Sequence, residues 1–265
     1  MRRLLSFDCD GAALGASLDE GSGTTGLLMV VGGSQTRIGS HRMYERLAHR
    51  LAAEGLSCLR YDRRGVGDSE GTDPGYLASG PDIAAAAAAF RAQRPGLDRM
   101  MGFGLCDGAT ALALFGRAAG LDGIILVNPW LVEAASDTPP PAAIKAHYRQ
   151  RLTSLSGWKK LLSGQVDIRK LLKGVAKISA APEPSTLAGQ VADALGRDRL
   201  PVQLVLARND GTAIAAASEL EAAAFKGLIT STIVLETDSH TFARPGDESA
   251  LLGAVLAACE GLQAS

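Results

Sequence analysis

No charge of either sign dominates this chain. Its 27 Lys and Arg stand against 28 Asp and Glu, a formal net charge of −1. A global field that would draw nucleic acid is therefore not expected. Cysteine is scarce and scattered: Cys9, Cys58, Cys106 and Cys259 make no Cys-x-x-Cys pair and no Cys/His cluster, which argues against a zinc site. No apolar run is long enough to span a bilayer. The opening "MRRLLSFDCDGAALG" is broken by Asp8 and Asp10, too early for the apolar core of a secretory leader. No repeat period is visible. Together these absences predict a reduced, cytoplasmic globule without metal or organic cofactor.

What is present alternates. A hairpin is expected over 4–17. Buried strands are expected at 27–33, 56–62, the stretch entering Cys106, 123–130, 201–210 and 231–240. Helical stretches separate them, among them 40–55, with Ser40 as cap, Met43, Leu47 and Leu51 as inner stripe and Gly55 as stop. The alanine run 84–89 lies inside another, since alanine is the strongest helix former. Strands and helices in this order predict an α/β fold, a mostly parallel central sheet flanked by helices. The 265 residues suit one such domain with an insertion.

The insertion is expected at 133–199, where no strand pattern appears, leaving 1–132 and 200–265 as the core. A structureless loop of that length is rare in a compact domain, so it reads as a helical cap. It holds many basic residues, from Lys145 and Arg149 to Lys173 and Lys177. Either this basic face meets an anionic substrate, a lipid-diphosphate carrier or a membrane surface, or it is a solvated helical face.

The chemistry gathers around "GFGLCDG", 102–108. Apolar residues lead into it and an alanine-rich helix leads out. That is the setting of a nucleophile elbow, Gly-x-Ser-x-Gly, with Cys106 in the serine seat and Gly104 and Gly108 as the small neighbours. The side chain at 106 needs a base, and His240 follows the last strand in "DSHTF". Asp210, after the preceding strand in "ARNDG", can fix the tautomer of His240. Asp238 is the other carboxylate available, but it lies close in sequence to the histidine. Amides of Ser34 and Asp107 are the candidate oxyanion hole. Gly33 is a candidate substrate contact beside them. In "GSHR", His41 or Arg42 either contacts substrate or belongs to a capped, solvated helical turn. Arg37 either reaches an anionic group of the substrate or pairs with Asp68.

With these residues in view, the chain resembles an α/β-hydrolase over nearly its whole length. "YDRRGVGDS" resembles the Asp-x-Arg-Gly-x-Gly-x-Ser loop of serine-aminopeptidase-like and esterase-like members. More closely, "GGSQTRIGSHR", "YDRRGVGDSEG" and "GLCDGA" together resemble the exosortase A system-associated hydrolase 1 family. That resemblance implies a cysteine at the elbow and a setting in bacterial exopolysaccharide production. A looser similarity to Cys-His-Asp dienelactone hydrolases shows that the fold can run on a thiol. Gly32 stands where lipases often carry histidine.

The expected activity is hydrolysis of a small-molecule acyl ester or thioester through an acyl-cysteine intermediate on Cys106, with His240 as base and Asp210 as orienting acid. Transfer of the acyl group to a saccharide or other alcohol, and a non-catalytic scaffold role in the same system, are the alternatives.

Overall fold

The computed structural model describes residues 1–132 and 186–263. Its strands are β1 (Arg2–Cys9), β2 (Ala12–Asp19), β3 (Thr25–Val30), β4 (Ser57–Tyr61), β5 (Arg99–Leu105), β6 (Gly123–Val127), β7 (Val202–Ala207) and β8 (Ser231–Leu235). They form one 8-stranded sheet in the order β1-β2-β4-β3-β5-β6-β7-β8. β1 and β2 are joined through Asp10 and Gly11, both at positive φ (51° and 81°), as a tight hairpin turn of this hand requires. The β1–β2 and β2–β4 pairings are antiparallel and all the others parallel.

From β3 the chain goes outward to β4, then returns to build β5 on the other side of β3. In an open α/β sheet such a reversal opens a crevice beyond the carboxyl ends of the two strands. The fold therefore places a site after β3 and β5 before any side chain is considered.

The helices are α1 (Met43–Ala53), α2 (Gly80–Gln93), α3 (Asp107–Phe115), α4 (Thr186–Asp198), α5 (Gly211–Leu220) and α6 (Asp247–Gln263). Alternate strand residues feed two apolar layers, as the two-residue period of a strand demands. Leu28 and Val30 of β3 face a layer with Phe90 of α2, Leu112 of α3, Val191 of α4 and Ala216 of α5. Leu27 and Met29 face the opposite layer, with Leu47 and Leu51 of α1 and Val255 of α6. A sheet covered on both faces explains why its central strands read as unbroken apolar runs rather than alternating ones.

Two local expectations meet a different outcome or a boundary. Ser40 does not cap α1. Residues Ser40–Arg42 form a short 3-10 turn in which His41 and Arg42 both have positive φ (52° and 61°), and the α-helix starts at Met43. Two successive left-handed residues break the helical path, and the amide and hydroxyl of Ser40 instead donate to Gln35 Oε1 at 2.8 and 3.0 Å. The inserted region follows β6, and its described end is α4, whose Leu187, Ala188, Val191 and Leu195 are buried, the last three within the layer that α3 shares. Residues 133–185, and with them the basic residues Lys145 to Lys177, lie outside the described residues. Among the described residues no helix is long and apolar enough to cross a membrane.

Candidate active site

β5 ends at Leu105 and α3 starts at Asp107, leaving Cys106 alone in the turn with φ 60° and ψ −127°. An L-residue held there costs about 1–3 kcal/mol and persists only where its surroundings fix it. They do. The Cys106 amide donates to the Val127 carbonyl at 3.0 Å, and its own carbonyl accepts from the amides of Ala109, Thr110 and Trp130 at 3.1, 3.3 and 3.1 Å. A Cβ on Gly104 would lie 2.6 Å from the Gly108 carbonyl oxygen, and one on Gly108 would lie 2.5 Å from that of Val30. Both elbow glycines are thus required by space. Of the four cysteines Cys106 is the only one not buried. Burial pushes the Cys58 thiol well up and that of Cys259 up to about 12, so both stay protonated.

β7 and β8 deliver the other two groups. Asp210 caps α5: its Oδ2 accepts from the Ala213 amide at 3.0 Å and meets Nδ1 of His240 at 2.9 Å. One carboxylate so fixes a helix start and a ring orientation together. The pKa of His240 is raised from 6.5 to about 10, first by the bond to Asp210 and then by the neighbouring Cys106, against an opposing effect of burial. Asp238 is turned outward, where both its oxygens hold Arg244 at 3.0 and 3.2 Å.

Across from the ring lies the loop after β3. A Cβ on Gly32 would come within 2.5 Å of the Leu105 carbonyl oxygen and 2.3 Å of Asp107 Oδ1. A histidine cannot stand there, which accounts for the departure at this position. The Gly33 amide donates to Asp107 Oδ1 at 2.6 Å, so the carboxylate of Asp107 ties the loop to the elbow. Ser34 follows, exposed. The Asp107 amide is in the first turn of α3, where backbone N–H groups have no partner within the helix.

The remaining sequence candidates are drawn elsewhere. Arg37 bonds Asp62 through both its amide and its guanidinium, and its other nitrogens reach Asp68 at 2.7 Å and Ser17 at 3.1 Å. Arg42 is exposed and pairs with Glu45, which Arg42 and Arg2 together hold down at about 2. His41 is exposed in the 3-10 turn.

One residue of the site carried no signal of its role. Asn128, fully buried at φ 41°, accepts from the Ala207 amide at 2.8 Å and donates to the His240 carbonyl at 3.3 Å. It joins the ends of β6 and β7 to the histidine loop. In the sequence it falls within the stretch 123–130 expected as a strand, and nothing there marks it. Among the described residues no group of His, Cys, Asp and Glu is arranged to hold a metal ion.

Comparison with known proteins agrees with this geometry at the level of fold and family. The sequence profile of the family described as "Serine aminopeptidase, S33" matches residues 26–242. The alpha/beta hydrolase GrgF from Penicillium sp. sh18 is 17% identical, with a TM-score of 0.65 over 99% of this chain and 98% of that one. The esterase Pf2001 of Pyrococcus furiosus is 14% identical, TM-score 0.64, over 97% and 91%. XC6422 of Xanthomonas campestris, a serine hydrolase without lid, is 17% identical, TM-score 0.61, over 98% and 94%. No curated protein matches the chain.

The family match overturns the closer of the two resemblances. The chain is matched by a serine family, not by the cysteine-elbow, exosortase-associated one. The acyl-cysteine hydrolase of an exopolysaccharide system, and the alternatives tied to that system, do not hold. The reason is physical. Serine and cysteine differ by one atom and fit the same strained turn, so the residue at 106 does not distinguish a thiol family from a hydroxyl one.

Proposed function

The chain belongs to the serine aminopeptidase family, S33, and on that premise we propose that it is a hydrolase of small-molecule carboxylic esters, acting at the elbow between β5 and α3. The side chain at position 106 is the one presented to the substrate carbonyl carbon. Its proton passes to His240 as it attacks and then to the departing alcohol, and a water that gives its proton to the same ring releases the acid and frees the side chain. Asp210 holds the ring and stabilises its charged form. The amides of Asp107 and Ser34 receive the oxygen that turns negative, and Gly33 borders the substrate.

One observation carries the reading: the hydrogen-bonded pair of Asp210 and His240 stands beside Cys106, a partly exposed side chain at the strained turn. The choice of ester is supported by the esterase among the similar structures.

The test is turnover of p-nitrophenyl esters of graded acyl length. His240→Ala and Asp210→Ala are expected to lower kcat by about 10²–10⁴-fold. Cys106→Ala is expected to abolish turnover, and Cys106→Ser, which puts the family's hydroxyl in the same seat, to retain it. Wild-type rates in both Cys106→Ala and His240→Ala would sink the proposal.

A further inference from the structure

Beside this site a side chain enters the hydrogen bonding at the end of the sheet's central ladder. β3 and β5 pair in parallel from Thr25↔Arg99 to Val30↔Gly104, and at that last pair the Leu105 amide and the Val30 carbonyl face each other. One phenol bonds both: the Leu105 amide donates to Tyr44 Oη at 3.1 Å, and Tyr44 Oη donates to the Val30 carbonyl at 3.0 Å. The phenol reaches this point from the first turn of α1. It is 1% exposed, and its ring is fixed edge-on to Phe103, centroids 5.5 Å apart.

The two groups that satisfy the phenol can also satisfy each other, so the ladder does not need it to avoid orphaned polar groups. What the phenol adds is a fixed link from the ends of both strands to the first turn of α1. Past the last paired residues, β3 must part from β5, and its continuation crosses the first turn of α3. The crossing is tight: a Cβ on Gly108 would sit 2.9 Å from the Gly32 nitrogen. From this crossing the chain delivers Gly33 and Ser34 on one side of Cys106 while β5 delivers Asp107 on the other.

We propose that Tyr44 is a positioning residue of the active site: its hydroxyl, bonded to both the Val30 carbonyl and the Leu105 amide, fixes the oxyanion loop against the elbow. The proposal rests on the active-site reading above. Without the hydroxyl, the ends of β3 and β5 lose their common tie to α1, and the loop shifts against the elbow.

The experiment is Tyr44→Phe in the full chain, which keeps the ring and removes only the oxygen, with His240→Ala alongside. Misplacing reacting groups by about 1 Å can cost on the order of 10²-fold. The expected result is a kcat for p-nitrophenyl esters lowered by about 10- to 100-fold, with KM changed far less and the melting temperature near that of wild type. Should Tyr44→Phe fold poorly, 4-aminophenylalanine at position 44 restores a hydrogen-bonding group at the ring's end and is expected to recover most of kcat. Wild-type kcat in Tyr44→Phe, with His240→Ala inactive, overturns the role of Tyr44 alone. So does a loss of rate that only follows the unfolded fraction. Wild-type turnover by His240→Ala overturns the site reading, and this proposal with it.

Discussion

The loop after β4 and the ends of β5, β7 and β8 use the same kinds of charged residue to opposite effect. In the first region charges are paired to closure. Asp62 is taken up by Arg37 and by the Asp68 amide at 3.1 Å, Arg63 by Asp73 at 2.7 and 2.9 Å, and Arg64 by Asp82 at 3.0 and 3.1 Å. In the second region Asp210 is likewise saturated, by a helix amide and a ring nitrogen. The series then runs outward through His240 and stops at a side chain with room in front of it. A closed network braces; an open one has a group left over for chemistry. That difference decides why the arginine-rich loop, the more conspicuous motif in the sequence, is structural here.

The largest expected effect breaks the open network. His240→Ala removes proton transfer and is expected to cost about 10²–10⁴-fold in kcat per folded molecule. Breaking the closed network should do the reverse. Asp62 is 1% exposed, and its loss takes the buried carboxylate from Arg37, leaving it only the exposed Asp68, so Asp62→Ala is expected to destabilise by about 3–5 kcal/mol in urea unfolding. Kcat per folded molecule should stay near wild type. If Asp62→Ala instead lost turnover at unchanged stability, the division between the two regions would fail.

The open network was the more legible one in the sequence. Asp210 and His240 could be found because each follows an apolar run that marks a strand, and the ends of parallel strands share one edge of the sheet. Gly104 and Gly108 were legible because their spacing is dictated by a steric need that glycine alone meets. Tyr44 and Asn128 were not. Tyr44 sits beside Met43 in the apolar stripe of α1 and reads as one more core residue; its role exists only once β3 and β5 lie side by side. Ser40 misled for the converse reason: its cap signal is local, and two left-handed residues after it overrule the local rule. The three segments that together suggested the exosortase-associated family misled at a higher level, since the family that matches residues 26–242 is a serine one.

A pH series sharpens the comparison further. The folded-state pKa of His240 is raised to about 10 from 6.5. Its pairing with Asp210 therefore adds stability that is fully present below pH 6.5 and is lost as pH rises through about 10. A base must be neutral to accept a proton, so kcat should climb over the same interval. Stability and rate are expected to move in opposite directions, by thermal unfolding and initial rates between pH 6 and about 10, and His240→Ala should flatten the stability trend. A rate that peaks near pH 7 and falls above it would contradict the assignment of His240 as the base.

A smaller effect is expected from the brace behind the histidine. Asn128→Ala removes the donor to the His240 carbonyl and the acceptor for the Ala207 amide, leaving buried groups unpaired at about 1–3 kcal/mol each. Stability should fall by that order, with a reduction in kcat of about tenfold as the histidine loop loosens. Both are read from one set of urea and ester-turnover measurements.

The smallest expected effect separates the two carboxylates near the ring. Asp210 is 7% exposed and fixed by α5, whereas Asp238 is more than half exposed and spends both oxygens on Arg244, itself on the surface. An exposed pair is screened by water and contributes little. Asp238→Asn is therefore expected to leave kcat/KM within about twofold of wild type, while Asp210→Asn removes the charge that holds His240 and should lower it by about 10²-fold or more. The two substitutions are chemically identical, and only the carboxylate of Asp210 is bonded to the imidazole. A comparable loss from both would mean that the surface pair with Arg244 opens during turnover and that the open network includes Asp238.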